Sequence, residues 1–238
     1  MVAVKEVPSL AWVTEQLVLC EGLEFADALA LAQAGEVRMY ERWELLFAPE
    51  EEVRWLQIVL SGRVKITRAT DGGKEIILEI LGPGQIIGEE HFLNSPHRSY
   101  AEVVEETVTL NVPPKALENL IRTRPAVGRL LMGALSAKLQ EREEQVEDLV
   151  LRSVPARVAH TLLKLADEHG IMKSGTQLID MRLTHQDVAN MVGASRETVT
   201  NVLNDFRSKG WVDLAHRQIA LRDVLALEEM ADLELSKN

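Results

Sequence analysis

Residues 183–211, LTHQDVANMVGASRETVTNVLNDFRSKGW, constrain the fold more than any other stretch of the chain. They predict two short helices joined by a tight turn. Thr184 is a good N-cap for the first helix, and Asp187 three residues on makes an arrangement close to a capping box. Val188, Ala189 and Val192 supply its apolar side. Gly193 then stands where a helix ends in a left-handed residue. Ser195 can cap the second helix, and Glu197 in the first turn suits the positive end of the helix dipole. Val199, Val202, Leu203 and Phe206 form one stripe of that helix; Arg196, Glu197, Thr200, Asn201 and Asn204 form the other. A packed helix, a glycine turn and a second helix with a polar outer face read as a helix-turn-helix.

The polar face is chemically suited to nucleotide bases. Arginine can bind guanine O6 and N7 with two bonds, glutamate can accept from cytosine N4, and asparagine can pair with adenine. These residue types sit at the N-terminal end of the second helix, the end that enters the major groove in such motifs. Thr184, Ser195, Arg196, Glu197, Thr200 and Asn201 are therefore the candidate DNA-contacting residues. The competing reading is an ordinary solvated helix face.

The segment GASRETVTNVLNDFRSKGWV resembles the recognition element of the cyclic-AMP receptor protein/FNR (CRP/FNR) family of bacterial transcription regulators. Ser195, Arg196, Glu197, Thr198 and Val199 match the core of that motif. The resemblance implies Arg196 to guanine, Glu197 to cytosine and Ser195 to phosphate. The family's next base-reading position is an arginine where this chain has Asn201, so a changed base preference is expected there, toward adenine.

With 238 residues, 46% hydrophobic and 4% aromatic, the chain has room for one large or two small domains with an aliphatic core. No apolar run approaches the ~20 residues of a membrane helix, and the first residues lack a signal-peptide pattern; a cytoplasmic protein is expected. The single cysteine, Cys20, excludes a disulfide within the chain and an iron–sulfur cluster held by about four thiolates, and reads as a small buried apolar residue. The net charge of −11 argues against indiscriminate nucleic-acid binding. Between Leu183 and Asp223 five bases face five acids, so the excess acid lies elsewhere. A neutral reader on an acidic chain fits binding through specific, salt-sensitive contacts.

Residues 10–34 have apolar spacing for one or two helices, read as a packing element at the edge of the next domain. Between 37 and 112, the runs WLQIVLSG, RVKITRA, KEIILEIL and EVVEETVTLNV are short and rich in branched residues. Ser61-Gly62, Asp71-Gly72-Gly73 and Leu81-Gly82-Pro83-Gly84 separate them as turns. This pattern predicts an antiparallel roll or barrel with room inside for one ligand. Residues 125–151 predict one long helix in which Gly128, Met132, Leu135, Leu139, Arg142, Val146 and Leu149 alternate steps of four and three. That heptad seam predicts a two-helix coiled coil between subunits, with Met132, Leu135, Leu139, Val146 and Leu149 at a homodimer interface. Arg142 is a charge in the seam and requires a partner.

The loop IGEEHFLNSPHRSY, residues 87–100, resembles the phosphate-binding cassette of cyclic-nucleotide-binding domains. The resemblance implies Arg98 and Ser99 on a cyclic phosphate, Glu89 on the ribose 2′-hydroxyl, and Gly88 allowing close backbone approach. The alternative is a surface loop in which Arg98 pairs with Glu89 or Glu90. Two departures stand against cyclic AMP itself. The loop between Glu89 and Arg98 is one residue shorter than the family's, and Arg142-Glu143 replace a threonine–serine pair that binds adenine across the family's dimer. Cyclic AMP held differently, another small anionic effector, or no effector with Arg98 and Arg142 as structural ions all remain open; no cofactor is required.

Ser153-Val154-Pro155 breaks the long helix, and VPARVAHTLLKLADEHG begins another with Val158, Leu162, Leu165 and Ala166 on its core side. GTQLIDMRL reads as a strand or hairpin. Residues 211–221 read as a two-stranded wing with Arg217 near its tip, able to touch phosphate, and 222–235 as a closing helix. No Gly-x-Ser-x-Gly, His-Glu-x-x-His or Walker loop occurs, so no catalytic site is expected. The six histidines lack metal spacing, though His91 and His97 flank the cassette and leave haem or metal sensing open.

The expected fold is α+β: a cyclic-nucleotide-binding-type β-roll with N-terminal helices over 1–124, a dimerisation helix over 125–152, and a winged helix-turn-helix over 153–238. The expected function is a homodimeric, effector-gated transcription regulator, not an enzyme, that reads a pseudo-palindrome in double-stranded DNA and contacts RNA polymerase. An effector-independent regulator controlled by abundance, and a module using its helix-turn-helix for protein contact, are the alternatives.

Overall fold

The structure is a computed structural model that describes residues 7–70, 72–173, 175–215 and 218–232. The chain divides into two compact units, residues 1–139 and 140–238.

The first unit opens with two helices, α1 (Leu10–Glu21) and α2 (Phe25–Ala34). Ser9 caps α1 by accepting from Trp12 N–H, and Gly22 ends it in the left-handed conformation at φ 62°. The strands are β1 (Glu36–Tyr40), β2 (Leu45–Phe47), β3 (Leu56–Ala69), β4 (Glu75–Leu81), β5 (Ile86–Ile87) and β6 (Tyr100–Val112). They form one antiparallel sheet of order β1-β6-β3-β4, with β2 added to β6 and β5 to β3. Helix α3 (Pro114–Thr123), which the sequence reading did not single out, follows, and helix α4 (Pro125–Leu151) begins in this unit.

Ser61-Gly62 is not the turn its composition predicts; β3 runs straight through it as one strand of 14 residues. The ladder with β6 instead shifts register between Val59 and Val64. Gly62 adopts φ +83°, and a Cβ there would fall 2.3 Å from the Glu106 carbonyl oxygen, so only glycine fits this bulge. An inserted residue inverts the alternation of faces. Accordingly Leu56, Ile58 and Leu60 point into a core shared with Leu17, Leu31, Leu110 and Leu117, whereas Val64 and Ile66, also even-numbered, join Val59, Phe47 and Leu81 in a second core. The N-terminal helices pack on the first core, as the apolar spacing predicts.

The second unit contains the end of α4, then α5 (Val154–His169), β7 (Gly170–Lys173), β8 (Thr176–Ile179), α6 (His185–Val192), α7 (Arg196–Ser208), β9 (Val212–Ala215), β10 (Gln218–Leu221) and α8 (Val224–Asp232). Ser153 caps α5 and Pro155 occupies its first turn, where its missing N–H is not needed. The predicted wing is larger than two strands. β7 and β8 form a hairpin that joins it, giving a sheet of order β7-β8-β10-β9. Val158, Leu162, Val188, Val199, Leu203, Phe206 and Leu227 are fully buried. Among the described residues no helix is long and apolar enough to cross a membrane. The side chain of Cys20 and the whole of Arg217 lie outside the described residues, so the readings placed on them have no structural counterpart.

Candidate nucleic-acid interface and effector cassette

The reading head is assembled almost wholly from local bonds. Thr184 Oγ1 accepts from Asp187 N–H at 3.1 Å, and Asp187 accepts in return from Thr184 N–H at 2.8 Å, completing the capping box. Gly193 closes α6 at φ 66°, its N–H donating to the Ala189 carbonyl. Ser195 caps α7 by accepting from Thr198 N–H at 3.1 Å, and its hydroxyl also pairs with that of Thr198 at 2.8 Å. Behind this frame Val188, Ala189, Val192, Val199, Leu203 and Phe206 are buried.

In front of it, Arg196, Glu197, Asn201 and Asn204 are exposed. Arg196, Glu197 and Asn201 make no side-chain hydrogen bond or ion pair among the described residues. An exposed arginine and glutamate, adjacent, unpaired and held by a capped first turn, are free to meet bases. Thr200 differs: its hydroxyl donates to the Arg196 carbonyl at 2.8 Å and pairs with His185 Nδ1 at 2.9 Å. Beside these residues lies a cleft of about 540 Å³, lined by Thr184, His185, Gln186 and Arg196 from the helices and by Leu214 and Gln218 from the wing.

Behind the reading head, Asp148 near the end of α4 pairs with Arg152 and, at 2.7 Å, with His160 Nδ1 of α5. Arg157 of α5 donates to the carbonyls of Val192 at 2.9 Å and Arg152 at 2.8 Å. Burial alone would push the Asp148 carboxyl up, but the His160 contact and the Arg152 charge outweigh it and hold it below the usual carboxylate range. These residues lack helix-periodic or motif signatures, and the sequence reading passed over them.

In the first unit the cassette comprises β5, a 3-10 turn over Glu89–Leu93 and the start of β6. Gly88 is held at φ +94°, and a Cβ there would fall 2.4 Å from the Trp55 carbonyl oxygen. Glycine is therefore demanded by the chain's own backbone, a reason the sequence did not contain. Glu89 does not pair with Arg98. It accepts from Lys138 Nζ of α4 at 2.6 Å, and Lys138 also lies 3.7 Å from Glu79. Glu90 lies 3.5 Å from His97 Nδ1, bringing the two ends of the loop together. Burial pushes the Glu90 carboxyl up, but the His97 contact, its own backbone N–H and the Lys138 charge hold it below the usual range. His97 is buried and stacks on Phe47 with ring centroids 3.5 Å apart. Arg98 is exposed and has no ion pair or hydrogen bond among the described residues, whereas the adjoining Ser99 is buried.

The cavity lined by Glu89, Phe92, Leu131, Leu135 and Lys138 has a volume of about 10 Å³, about enough for one water. Arg142, the remaining candidate of the effector set, belongs to the second unit and donates to Gln145 at 3.0 Å. Among the described residues no group of three or more His, Cys, Asp or Glu side chains could hold a metal ion. His91 is 3.5 Å from Glu118. Along α4, Met132, Leu139 and Val146 are 61%, 62% and 60% exposed, and Leu135 and Leu149 are exposed with them.

Comparison with known proteins agrees with both halves. Residues 37–124 match the cyclic nucleotide-binding domain, and residues 156–230 match the Crp-like helix-turn-helix domain. A CRP-like cAMP-activated global transcriptional regulator of Mycobacterium tuberculosis is 33% identical over 204 residues, 85% of this chain and 91% of that protein. This chain belongs to the CRP/FNR family. As a CRP/FNR protein it is a DNA-binding transcription regulator, and its relatives are regulators rather than enzymes. The global nitrogen regulator of Nostoc sp. is 28% identical over 80% of this chain and 87% of its own length. A solved CRP-family transcriptional regulator from Thermus thermophilus superimposes with a TM-score of 0.72 at 27% identity, over 82% of this chain and 96% of that one. The α+β architecture predicted from the sequence is the family's fold.

Proposed function

We propose that the chain is a homodimeric, sequence-specific regulator that reads a pseudo-palindromic site, with Arg196 on guanine, Glu197 on cytosine, Ser195 and Thr184 on phosphate, and Asn201 setting a third base. The observation that carries this reading is the pair Arg196–Glu197, exposed and without a side-chain partner among the described residues, on the first turn of α7. Dimerisation through α4 is supported by the exposed stripe from Met132 to Leu149, whose apolar surface needs a cover. Two reading heads related by a two-fold axis would address half-sites about 10 base pairs apart. Such a regulator works in the cytoplasm and acts through RNA polymerase.

Selection of binding sites from random duplexes tests the reading. The wild type should return a pseudo-palindrome. Asn201→Arg should change the preferred base at one position of each half-site and no other; identical half-sites for the two proteins would refute the role of Asn201.

For the effector, the reading is a small anionic ligand such as a cyclic nucleotide on Arg98 and Ser99, with Glu89 and Gly88 beside it. Arg98, exposed and without a partner among the described residues, next to a buried serine, supports it. A second reading, a regulator without an effector, is favoured by the Glu89–Lys138 pair and the Arg142-Glu143 replacement. Titration of cyclic nucleotides against DNA affinity separates the two. Under gating, wild-type affinity responds to at least one nucleotide and Arg98→Ala abolishes the response; under the second reading neither protein responds.

A further inference from the structure

We propose that His185 is a proton-dependent contact to a DNA backbone phosphate, built by the chain of hydrogen bonds from His185 through Thr200 to the Arg196 carbonyl. This rests on the DNA-binding reading above and adds to it a residue and a pH dependence.

The argument is one of hydrogen counting. Thr200 Oγ1 lies 2.8 Å from the Arg196 carbonyl oxygen. A carbonyl can only accept, and a hydroxyl has a single hydrogen, so that hydrogen is committed to Arg196. His185 Nδ1 lies 2.9 Å from the same hydroxyl oxygen, and with the hydroxyl hydrogen already used, Nδ1 must be the donor. Nδ1 therefore carries a proton in both charge states of the ring, and Nε2 is the atom that gains or loses one. When neutral, Nε2 presents a lone pair, which repels a phosphate oxygen. When protonated, it presents an N–H and a positive charge, which a phosphate oxygen accepts. Histidine is the side chain whose charge changes most readily between about pH 5 and pH 8.

The surroundings suit an anion. His185 lines the 540 Å³ cleft with Thr184 and Gln186 at the start of α6, Arg196 of α7 and Gln218 of the wing, and no carboxylate lines it among the described residues. The carboxylate of Asp187 is held by Thr184 N–H and the Thr184 hydroxyl at 2.8 and 2.6 Å. His216 and Arg217, between the wing strands, lie outside the described residues. The same bonds give the Thr200 hydroxyl a positioning role: it fixes the His185 ring to the turn that carries Arg196.

The test is fluorescence anisotropy with a selected duplex at about pH 6 and pH 8, at several salt concentrations. His216→Gln is carried in every protein so that the histidine between β9 and β10 in the sequence does not contribute. The background protein should bind about fivefold tighter at the lower pH, with a salt slope steeper by about one. His185→Gln should bind weakly, and His185→Arg tightly, at both pH values with unchanged sequence preference. The inference is overturned if His185→Gln retains the pH response, or if its loss of affinity depends on sequence, which would mean a base contact. A protein that binds no duplex at either pH would instead overturn the DNA-binding reading. Should His185→Gln lose helical circular dichroism, His185→Arg against the background protein carries the test: an arginine variant that still weakens toward pH 8 sinks the proposal.

Discussion

The reading head and the effector cassette are both short segments that carry an arginine next to a serine, yet they are held in opposite ways. In the reading head the capping bonds join residues three or four apart, Thr184 with Asp187, Ser195 with Thr198 and Arg196 with Thr200, and only a few, such as His185 with Thr200, reach further. In the cassette they reach across the fold: Glu89 is held by Lys138, 49 residues away, and His97 is held by Phe47. A locally capped helix presents its outer face whatever lies around it. A loop held by distant partners changes when those partners move. The first arrangement suits a reader of fixed geometry, and the second suits a sensor.

Truncating one leucine in each segment probes the difference most strongly. Leu203, fully buried beneath the reading face, should cost about 2–5 kcal/mol when changed to alanine. Leu93 in the cassette is mostly exposed, and Leu93→Ala should change stability by less than about 0.5 kcal/mol. Chemical denaturation of the two variants checks this, and equal losses would break the contrast. Next in size, Arg196→Ala should weaken binding to the selected duplex by about 10- to 100-fold, the worth of a bidentate base contact, measured by anisotropy. Arg98→Ala should leave nucleotide-free DNA affinity unchanged.

The caps give a smaller effect. Ser195→Ala should lower stability by about 1 kcal/mol, whereas Ser195→Asp, which keeps an accepting oxygen, should lower it far less; thermal melts compare them. The smallest effect depends on pH. The Asp148 carboxyl is held below its ordinary value by His160 and Arg152 against the opposing pull of burial. A carboxyl with a lowered native pKa contributes stability above its unfolded value of about 3.9, and loses it as pH falls through the native value. Melting temperatures of the wild type and Asp148→Asn should therefore differ at pH 7 and converge in acid, beginning below about pH 4.

The same contrast between local and distant determinants governs what could be read from the sequence. Both helices of the reading head, their caps and Gly193 follow from spacing and side-chain chemistry within a few residues. The exposed stripe on α4 was legible for the same reason, since a heptad is a local pattern. Ser61-Gly62 misled because glycine serves a turn and a bulge equally, and only the partner strand, with the Glu106 carbonyl pressed against Gly62, decides between them. The β7–β8 hairpin joins the wing through pairing of β8 with β10, which no local signal encodes. Arg98 and Glu89 were found by motif, but that Glu89 pairs with Lys138 rather than Arg98 depends on where α4 passes. His185 went unnoticed as the first residue of a helix. Its partner Thr200 is 15 positions on, and only the turn at Gly193 brings them together.

The most direct test of the central claim is hydroxyl-radical footprinting of the full chain on its selected duplex, with wild type, Arg196→Ala and Glu197→Ala compared. The account predicts two protected half-sites about one helical turn apart, both weakened together by either substitution. A single protected patch, or a footprint indifferent to Arg196 and Glu197, would contradict it.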